Sequence, residues 1–308
     1  MDLLSTLATL APDHDTYPPR LRALTSPPSS LTVEGGALVA PCAVAIVGAR
    51  SCSSEAATFT FELAAAVARA GAVVVSGGAT GIDAAAHRGA LAAGGRTWAV
   101  CATGRGVCFP KEHADLYAEI ARGPGAVVWP FRAGTAALPG TFLYRNAVLV
   151  ALADAVVIVQ AGIPSGTFST ASQARKQGRP LWAVAGPPWD PRFAGCRRAL
   201  EKGARVVTSA RALLGALGLS AGDAASDGEQ SILALSGLSA APSIPALPSH
   251  LGTAERALAE ACSAQARHID EIASDARVCA RDAATGLLTL ALENVLVEGP
   301  EGFYRRPE

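Results

Sequence analysis

The chain has 308 residues, of which 50% are hydrophobic and 17% charged, and its formal net charge is zero. This length suffices for one large domain and a small one, and a neutral chain has no general attraction to nucleic acid or to an acidic membrane surface. The apolar stretch 147–163 is interrupted by Asp154 and Gln160. It is shorter than the roughly 20 apolar residues that a spanning helix needs, so we expect no membrane segment.

The seven cysteines are odd in number, and no two of them form a C-x-x-C pair. This usage favours neither a disulfide framework nor a zinc ribbon. The N-terminus has no basic region followed by an apolar stretch, so we expect no signal peptide. Together these features predict a reduced, cytoplasmic protein.

Residues 1–40 form the first segment in chain order. Tyr17-Pro18-Pro19 and Pro27-Pro28 favour turns and extended backbone over helix. We therefore expect an irregular lead-in over residues 1–40.

From residue 41 onward, short β-branched runs alternate with helical patterns. The predicted strands are 44–47, 72–76, 97–102, 126–129, 155–159 and 180–184, with a last strand near Val206. The predicted helices are 55–69, 82–93, 112–121, 145–153, 170–176 and 193–202. Continuous apolar strands separated by helices are typical of buried parallel strands. Residues 41–217 are thus predicted to form an α/β domain with a doubly wound, mostly parallel, Rossmann-like sheet.

The composition then changes twice. Residues 218–252 are rich in Ser, Ala, Gly and Pro and are predicted to be a flexible linker, with a short amphipathic piece at 232–238. Residues 253–308 show three helical patterns, at 253–263, 269–273 and 280–294, followed by a hairpin-like pair at 295–299 and 302–305. This order is that of a winged helix. A unit of this size buries little apolar surface, so we expect it to be stabilised by contact with a partner or with the main domain.

The first candidate site is the turn Gly48-Ala49-Arg50, which directly follows a predicted strand. Gly48 would allow close backbone approach, and Arg50 would present a planar cationic fork to a phosphate or carboxylate. The alternative is an ordinary strand-to-helix turn with a surface arginine.

The second candidate site is the segment Ser76-Gly77-Gly78-Ala79-Thr80-Gly81. It has neither the Gly-Lys-Ser/Thr of a P-loop nor the G-x-G-x-x-G of a dinucleotide site. Its small residues still suit a nest of N–H groups at a helix start. Asp83 and His87 lie four residues apart on the following helix and share a face. They could form a catalytic pair or a metal site, but we expect structural hydrogen bonds.

Two more candidate turns follow, Phe142 to Asn146 and Ser165-Gly166. Ligands of doubly wound sheets bind beyond the carboxyl ends of the strands, so we expect the four turns to share one rim. Beyond them, the stretch 171–211 carries nine basic residues against Asp190 and Glu201. It could make a basic face on a neutral protein, or only a set of solvated helix surfaces.

The order of these motifs resembles the DprA/Smf family. The residues that carry the resemblance are Val-Gly-Ala-Arg at 47–50, Ser-Gly-Gly-Ala-Thr-Gly-Ile-Asp-Ala-Ala-Ala-His at 76–87, Phe-Leu-Tyr-Arg-Asn at 142–146 and Ser-Gly-Thr-Phe-Ser-Thr-Ala at 165–171. The resemblance covers residues 17–211 well and 253–306 loosely. Ala147 departs from the family pattern, which usually has a second arginine there.

The resemblance implies a protein of natural transformation that is not an enzyme and uses no cofactor or metal. Such proteins bind and protect incoming single-stranded DNA, help load RecA for recombination, work alongside single-strand-binding protein, and form homodimers through the Rossmann-like domain. Carried over by motif, Gly48 and Arg50 would contact phosphate, and Ser165 and Gly166 would form the far rim. The remaining residues of that pocket would be Ser76, Gly78, Gly81, Phe142, Arg145 and Asn146.

The alternative is a Rossmann-like nucleotide sensor or nucleotide-processing enzyme. Phosphoribohydrolases of similar fold carry Pro-Gly-Gly-x-Gly-Thr-x-x-Glu, whereas this chain has only Pro139-Gly140-Thr141. A dehydrogenase is disfavoured because the dinucleotide glycines are missing. Aromatic residues make up only 5% of the chain, so we expect a grip on the DNA backbone rather than a stacking platform. For the C-terminal unit, Arg277, Arg281, Arg305 and Arg306 could touch DNA, but its acidic residues favour a protein- or self-interaction module.

Overall fold

The computed structural model describes residues 6–163, 165–219, 251–262, 267–292, 295–298 and 303–305. The chain divides into two compact units, Met1–Ser239 and Ala240–Glu308. Most of the predicted linker, including the amphipathic piece at 232–238, lies outside the described residues, and so do Gly302 and Arg306. No helix among the described residues is long and apolar enough to cross a membrane.

The first unit alternates strands and helices along the chain. Its strands are β1 (Leu7–Leu10), β2 (Leu31–Gly35), β3 (Ala43–Val47), β4 (Val73–Ser76), β5 (Thr97–Val100), β6 (Ala126–Trp129), β7 (Ala155–Ile158), β8 (Leu181–Ala183) and β9 (Arg205–Val206). Its helices are α1 (Pro19–Arg22), α2 (Ser54–Arg69), α3 (Ile82–Ala92), α4 (Ala114–Arg122), α5 (Pro139–Leu152), α6 (Thr167–Lys176), α7 (Ala194–Glu201) and α8 (Ala210–Ala216).

These strands form one nine-stranded sheet in the order β1-β2-β6-β5-β4-β3-β7-β8-β9. The seven strands from β6 to β9 are parallel, while β1 and β2 are added antiparallel at the β6 edge. The order runs outward in both directions from β3, so the crevice between β3 and β7 is the topological switch point of the sheet. The predicted doubly wound, mostly parallel α/β fold is therefore confirmed.

The central strands are continuous apolar runs because helices cover both faces of the sheet. Every residue of β3 is buried, and so is every residue of β4 and β7. Helix α2 begins at Ser54 because the Ser53 side chain accepts a hydrogen bond from the Ala56 N–H, at 3.2 Å. The resulting core places the carboxyl ends of β3, β4 and β7 side by side.

The prediction of an irregular lead-in over residues 1–40 is wrong. Strand β2 pairs antiparallel with β6, with Val33 opposite Val128, and β1 pairs with β2. Tyr17 is fully buried, and its hydroxyl donates to the Pro28 carbonyl at 2.9 Å. The proline pairs do make turns, but the pairing partner of β2 lies almost 100 residues further along the chain, where local signals cannot reveal it.

Two helices also differ from the prediction. Helix α5 begins at Pro139 rather than at Arg145. Pro139 has a φ suited to the first helical position, and the Thr141 hydroxyl accepts from the Leu138 N–H at 3.0 Å, which together start the helix earlier. Helix α8 was not predicted; the Ser209 side chain caps it by accepting from the Ala212 N–H.

The second unit contains helices α9 (Thr253–Ala261), α10 (Ile269–Ala276) and α11 (Ala280–Leu292). Strands β10 (Arg267–His268), β11 (Val297–Glu298) and β12 (Phe303–Arg305) form an antiparallel sheet in the order β10-β12-β11. Its core includes Leu258, Ile272, Leu287, Leu290 and Tyr304. Strand β10 was not predicted, and the assignment of this unit to the winged-helix class stays a prediction.

His87 and Asp83 are both buried on α3, and their hydrogen bonds are structural, as expected. The Thr97 hydroxyl donates to the Val74 carbonyl at 2.9 Å and therefore accepts from the His87 Nδ1–H at 2.7 Å. The Nε2 atom of His87 has no hydrogen-bond partner among the described residues. A proton on Nε2 would bury an unpaired charged donor, and this burial lowers the pKa of His87 to about 3.

This depressed pKa predicts a pH-dependent stability. Because the unfolded pKa is about 6.5, the contribution of neutral His87 is present above pH 6.5 and is lost as the pH falls toward 3. We expect the free energy of unfolding to fall by up to about 1.4 kcal/mol per pH unit below 6.5 through this residue. Urea unfolding of wild type and of His87→Gln between pH 7.5 and 4 measures it. Parallel pH profiles of the two proteins would contradict the assignment.

Candidate nucleic-acid interface

A cavity of about 350 Å³ opens at the switch point of the sheet. Five chain segments surround it: the turns after β3, β4 and β7, one face of α5, and the start of α6. The residues that line it are Val47, Gly48, Ala49, Arg50, Gly77, Ala79, Asp83, Phe142, Arg145, Asn146, Leu149, Gly162, Ser165, Gly166, Thr167 and Thr170. Seven of the predicted site residues, including Gly48 and Arg50, are therefore brought together as expected.

The turn after β3 is held from the side of β7. The Ala49 N–H donates to the Gln160 carbonyl at 2.8 Å, and the Gln160 side-chain oxygen accepts from the Ser53 N–H at 3.0 Å. A Cβ on Gly48 would lie 2.7 Å from Ile82 Cγ1 and 2.8 Å from the Gln160 oxygen. Gly48 thus lets β3, α3 and the end of β7 meet, and this close packing sets the direction in which Arg50 leaves the sheet.

The turn after β4 supports the turn after β3. Gly81 has a φ of +75°, and a Cβ there would overlap the carbonyl oxygens of Ala49 and Arg50. The Ile82 N–H donates to the Ala49 carbonyl at 3.1 Å, and the Thr80 hydroxyl donates to the Arg50 carbonyl at 3.2 Å. Only glycine allows the two turns to nest in this way.

Ser76, Gly78 and Gly81, which we expected in the same pocket, do not line the cavity. The Ser76 hydroxyl is buried and donates to the Ile46 carbonyl at 2.6 Å, which ties β4 to β3. The Gly78 carbonyl accepts from His113 Nδ1 at 2.9 Å and lies 3.1 Å from the Tyr117 hydroxyl. The reason is packing: the place of a Gly78 side chain is occupied by the Tyr117 side chain, and that of a Gly81 side chain by the carbonyl oxygens of Ala49 and Arg50.

One face of α5 forms one wall of the cavity. Phe142, Arg145, Asn146 and Leu149 are spaced i, i+3, i+4 and i+7, so they share one helix face, and all four line the cavity. The Arg145 Nε donates to the Asn146 side-chain oxygen at 3.1 Å. Leu149, which we did not predict, could have been found from this spacing.

Arg145 itself is turned inward. It is only 5% exposed, and its Nη1 donates to the carbonyls of Gly77 and of Val100, the latter at 2.7 Å. Gly77 is glycine because a Cβ there would overlap the Arg145 guanidinium and lie 2.7 Å from Asp83 Oδ2. Arg145 therefore braces the second turn, and this position does not favour the direct DNA contact that we expected for it.

Asp83 is the counter-charge to Arg145. Its Oδ2 accepts from the Ala79 N–H at 3.2 Å. Burial raises the pKa of Asp83 above its usual value, while the nearby Arg145 acts to lower it. Burial likewise lowers the pKa of Arg145, and Asp83 opposes that change. Asp83 and Arg145 thus influence each other electrostatically without a direct ion pair between these two described side chains, and each is held by backbone groups.

Arg50, unlike the buried Arg145, faces solvent. It is exposed at the mouth of the cavity, and its guanidinium lies over the Phe142 ring, 4.8 Å from the centroid. Phe109 packs edge-on against Phe142 at 5.7 Å between centroids. No described carboxylate lies within ion-pair distance of Arg50. An oriented guanidinium without an ion-pair partner is suited to hold an incoming phosphate.

The far side of the cavity is the start of α6. Gly166 is exposed and stands at the N-cap of this helix, and the Ser165 hydroxyl accepts from the Thr167 N–H at 3.2 Å. The first three N–H groups of α6 donate to Ser165 and Gly166, but the helix dipole still places partial positive charge at this end. Together with Arg50 it favours an anion in the cavity.

Gln160, Gly162 and Thr170 also belong to the site but were not predicted. Gln160 is fully buried and bridges β7 to the start of α2. A polar residue at the end of a buried strand is the only signal that could have indicated it.

The basic stretch 171–211 is divided between bonded and open side chains. Asp190 binds Arg192, and the Arg197 Nη1 donates to the carbonyls of Pro187 and Asp190. Six further basic side chains are exposed: Arg175, Lys176, Arg198, Lys202, Arg205 and Arg211. The stretch therefore does present positive charge to solvent.

The fold and the cavity define a Rossmann-like protein with an open cleft at its topological switch point. A family model for DNA recombination-mediator protein A matches residues 8–218. The chain belongs to that family.

Individual relatives agree with this assignment. The DprA-type relative from Mycobacterium tuberculosis is 41% identical over 188 residues, which cover 60% of this chain and 48% of the relative. Protein Smf of Escherichia coli is 34% identical over 203 residues, covering 66% of this chain and 54% of that protein. The chain thus spans about half the length of these curated relatives.

Two solved structures are similar to the main unit. DNA processing protein A from Streptococcus pneumoniae superimposes with a TM-score of 0.64 at 32% identity, covering 69% of this chain and 75% of that chain. The Helicobacter pylori protein gives a TM-score of 0.62 at 30% identity, covering 70% of this chain and 98% of that chain. The latter structure was described for its single-stranded DNA binding mode.

Proposed function

We propose that this protein binds single-stranded DNA by its backbone and acts as a recombination mediator. The observation that carries the proposal is the exposed Arg50 guanidinium, stacked on Phe142 at the mouth of a cavity with small-residue turns in its walls. The single-stranded DNA binding of the Helicobacter pylori relative supports it. A flexible strand can bend a phosphate into such a recess, whereas a duplex is stiff over about 50 nm.

The mode of binding follows from the donors. Arg50 and the positive end of the α6 dipole offer charge to a phosphate, and contacts to phosphate carry no sequence information. We therefore propose binding with little sequence preference. The exposed basic residues of the stretch 171–211 would guide the strand as it leaves the cavity.

The role beyond DNA binding is proposed from the family to which the chain belongs. We propose that bound strands are protected and passed to RecA, alongside single-strand-binding protein, during natural transformation, and that the protein acts as a homodimer. We also propose a binding protein rather than an enzyme, because Asp83, His87 and Arg145 are buried and engaged in structural bonds. Release of free base from AMP would contradict the last point.

Salt dependence tests the proposed backbone grip. If about three to five phosphates are neutralised, log K should fall with log salt at a slope of roughly −2 to −3.5. Fluorescence anisotropy with labelled single strands at several salt concentrations measures the slope, and an unlabelled duplex of the same sequence serves as competitor. Equal competition by the duplex, or an affinity that barely responds to salt, would overturn the proposal.

A further inference from the structure

The loop between β8 and α7 presents a tryptophan to solvent. Trp189 is 63% exposed, whereas Trp98, Trp129 and Trp182 are at most 9% exposed. An indole ring left open on a chain with so few aromatic residues is costly to hydrate. Its place in the fold therefore requires an explanation.

Hydrogen bonds close the turn that carries Trp189. The Asp190 N–H donates to the Pro187 carbonyl at 3.1 Å, which closes a four-residue turn with Pro188 in its second position. Beneath it, Arg197 Nη1 donates to the Pro187 carbonyl at 2.9 Å and to the Asp190 carbonyl at 3.1 Å. The Trp189 backbone is thus held in place before any ligand arrives, so a partner would pay little ordering entropy there.

This turn lies at the margin of the cavity. The Pro191 carbonyl oxygen is 3.7 Å from where a Cβ of Gly162 would be, and Gly162 lines the cavity. The Gly195 N–H donates to the Ala161 carbonyl at 2.7 Å, which fixes the start of α7 against the same segment. Two residues of chain span about 7 Å at most, so the Trp189 backbone lies within that reach of Pro191.

Three arginines follow Trp189 in the chain. Arg192, Arg197 and Arg198 come within nine residues of it, and the adjacent Asp190 carboxylate accepts three hydrogen bonds from the Arg192 side chain at 2.8–3.0 Å. Arg198 lies over the Phe168 ring of α6, 5.9 Å from its centroid. Exposed aromatic faces among guanidinium groups are what a single nucleic-acid strand stacks on and pairs with.

We propose that Trp189 is a base-stacking site for a nucleotide next to the one whose phosphate lies at Arg50. The inference rests on the proposed function and adds to it, since it assigns a base contact to a surface outside the cavity. It also revises the expectation that the protein contacts only the DNA backbone and no bases. Because every base has a stacking face, the contact would not add sequence preference.

Substitution of Trp189 tests the site. With a dT oligomer of about 20 nucleotides, longer than a site of about 4–16, Trp189→Ala should weaken binding roughly 5- to 150-fold. Trp189→Phe should retain most of the affinity. An oligomer of the same length without bases, which keeps every phosphate, should bind wild type and Trp189→Ala equally. The matched control is Val39→Ala, which removes another exposed apolar side chain and should leave binding unchanged.

Intrinsic fluorescence provides a second measurement on the same samples. Trp189 is the one tryptophan of the four that solvent reaches freely, so the dT oligomer should quench wild type and leave Trp189→Phe almost unquenched. Equal dT affinity of wild type and Trp189→Ala would overturn the stacking site while the proposed function stands. Equal losses on dT and on the base-free oligomer would also overturn it. If wild type binds neither oligomer, the proposed function itself fails.

Discussion

Replacing Arg145 with methionine is expected to lower the free energy of unfolding of the Rossmann-like unit by about 2–6 kcal/mol, because two buried carbonyls lose their donor and a buried carboxyl loses a nearby cation. Arg145 is 5% exposed and donates to the carbonyls of Gly77 and Val100. Asp83, equally buried, would lose the cation that opposes the rise of its pKa. Both carbonyls would also lose a donor.

Urea unfolding followed by circular dichroism measures the loss. The loss of stability should also depend on pH, in a direction that the pKa of Asp83 predicts. A carboxyl whose folded pKa is raised stabilises the fold below its unfolded pKa, and that stability is lost as the pH rises through the folded pKa. Removing Arg145 should raise the pKa of Asp83 further, so the damage should be greater at pH 8 than at pH 5.

A double substitution separates the charge from the packing. With Arg145 present, Asp83→Asn removes the partner of a buried cation and should destabilise the protein. In the Arg145→Met background the same change removes an unpaired carboxylate and should stabilise it. The sign of the Asp83→Asn effect should therefore reverse between the two backgrounds, and additive effects would refute the coupling of the two charges.

Replacing Arg50 with alanine is expected to have a large effect on the affinity for single-stranded DNA. Arg50 is exposed and forms no ion pair with a described carboxylate, so stability should change little. Loss of a charge-assisted contact worth about 1.5–3 kcal/mol should weaken single-strand binding roughly 10- to 150-fold. The slope of log K against log salt should become shallower by about 0.7, because one phosphate contact is lost.

Two further variants complete this experiment. Arg50→Lys keeps the charge but loses the planar fork and the stacking on Phe142 at 4.8 Å, so its affinity should be intermediate. Arg69→Ala removes an exposed arginine from the last turn of α2, about 24 Å from the start of that helix, and should bind like wild type. If Arg50→Ala and Arg69→Ala lose affinity equally, Arg50 is not part of the site.

Much of the fold could be predicted from local patterns. The central strands β3, β4 and β7 are apolar runs of four or five residues that end in glycine or a polar residue, and each was predicted within about one residue of its bounds. Their alternation with helices determined the doubly wound sheet, because parallel strands need crossover helices. The antiparallel pairing of β2 with β6 could not be predicted in this way, because it depends on a partner distant in sequence.

The candidate site shows the same division. Local sequence patterns are enough to predict that small-residue turns and Arg50 meet at one edge of the sheet, since the carboxyl ends of parallel strands must lie together. Which side chains face the cavity depends on the three-dimensional packing. Arg50 and Arg145 are both motif arginines, yet one lies over Phe142 at the surface and the other is buried against Gly77. That difference depends on neighbours brought together by long-range packing, which no local pattern records.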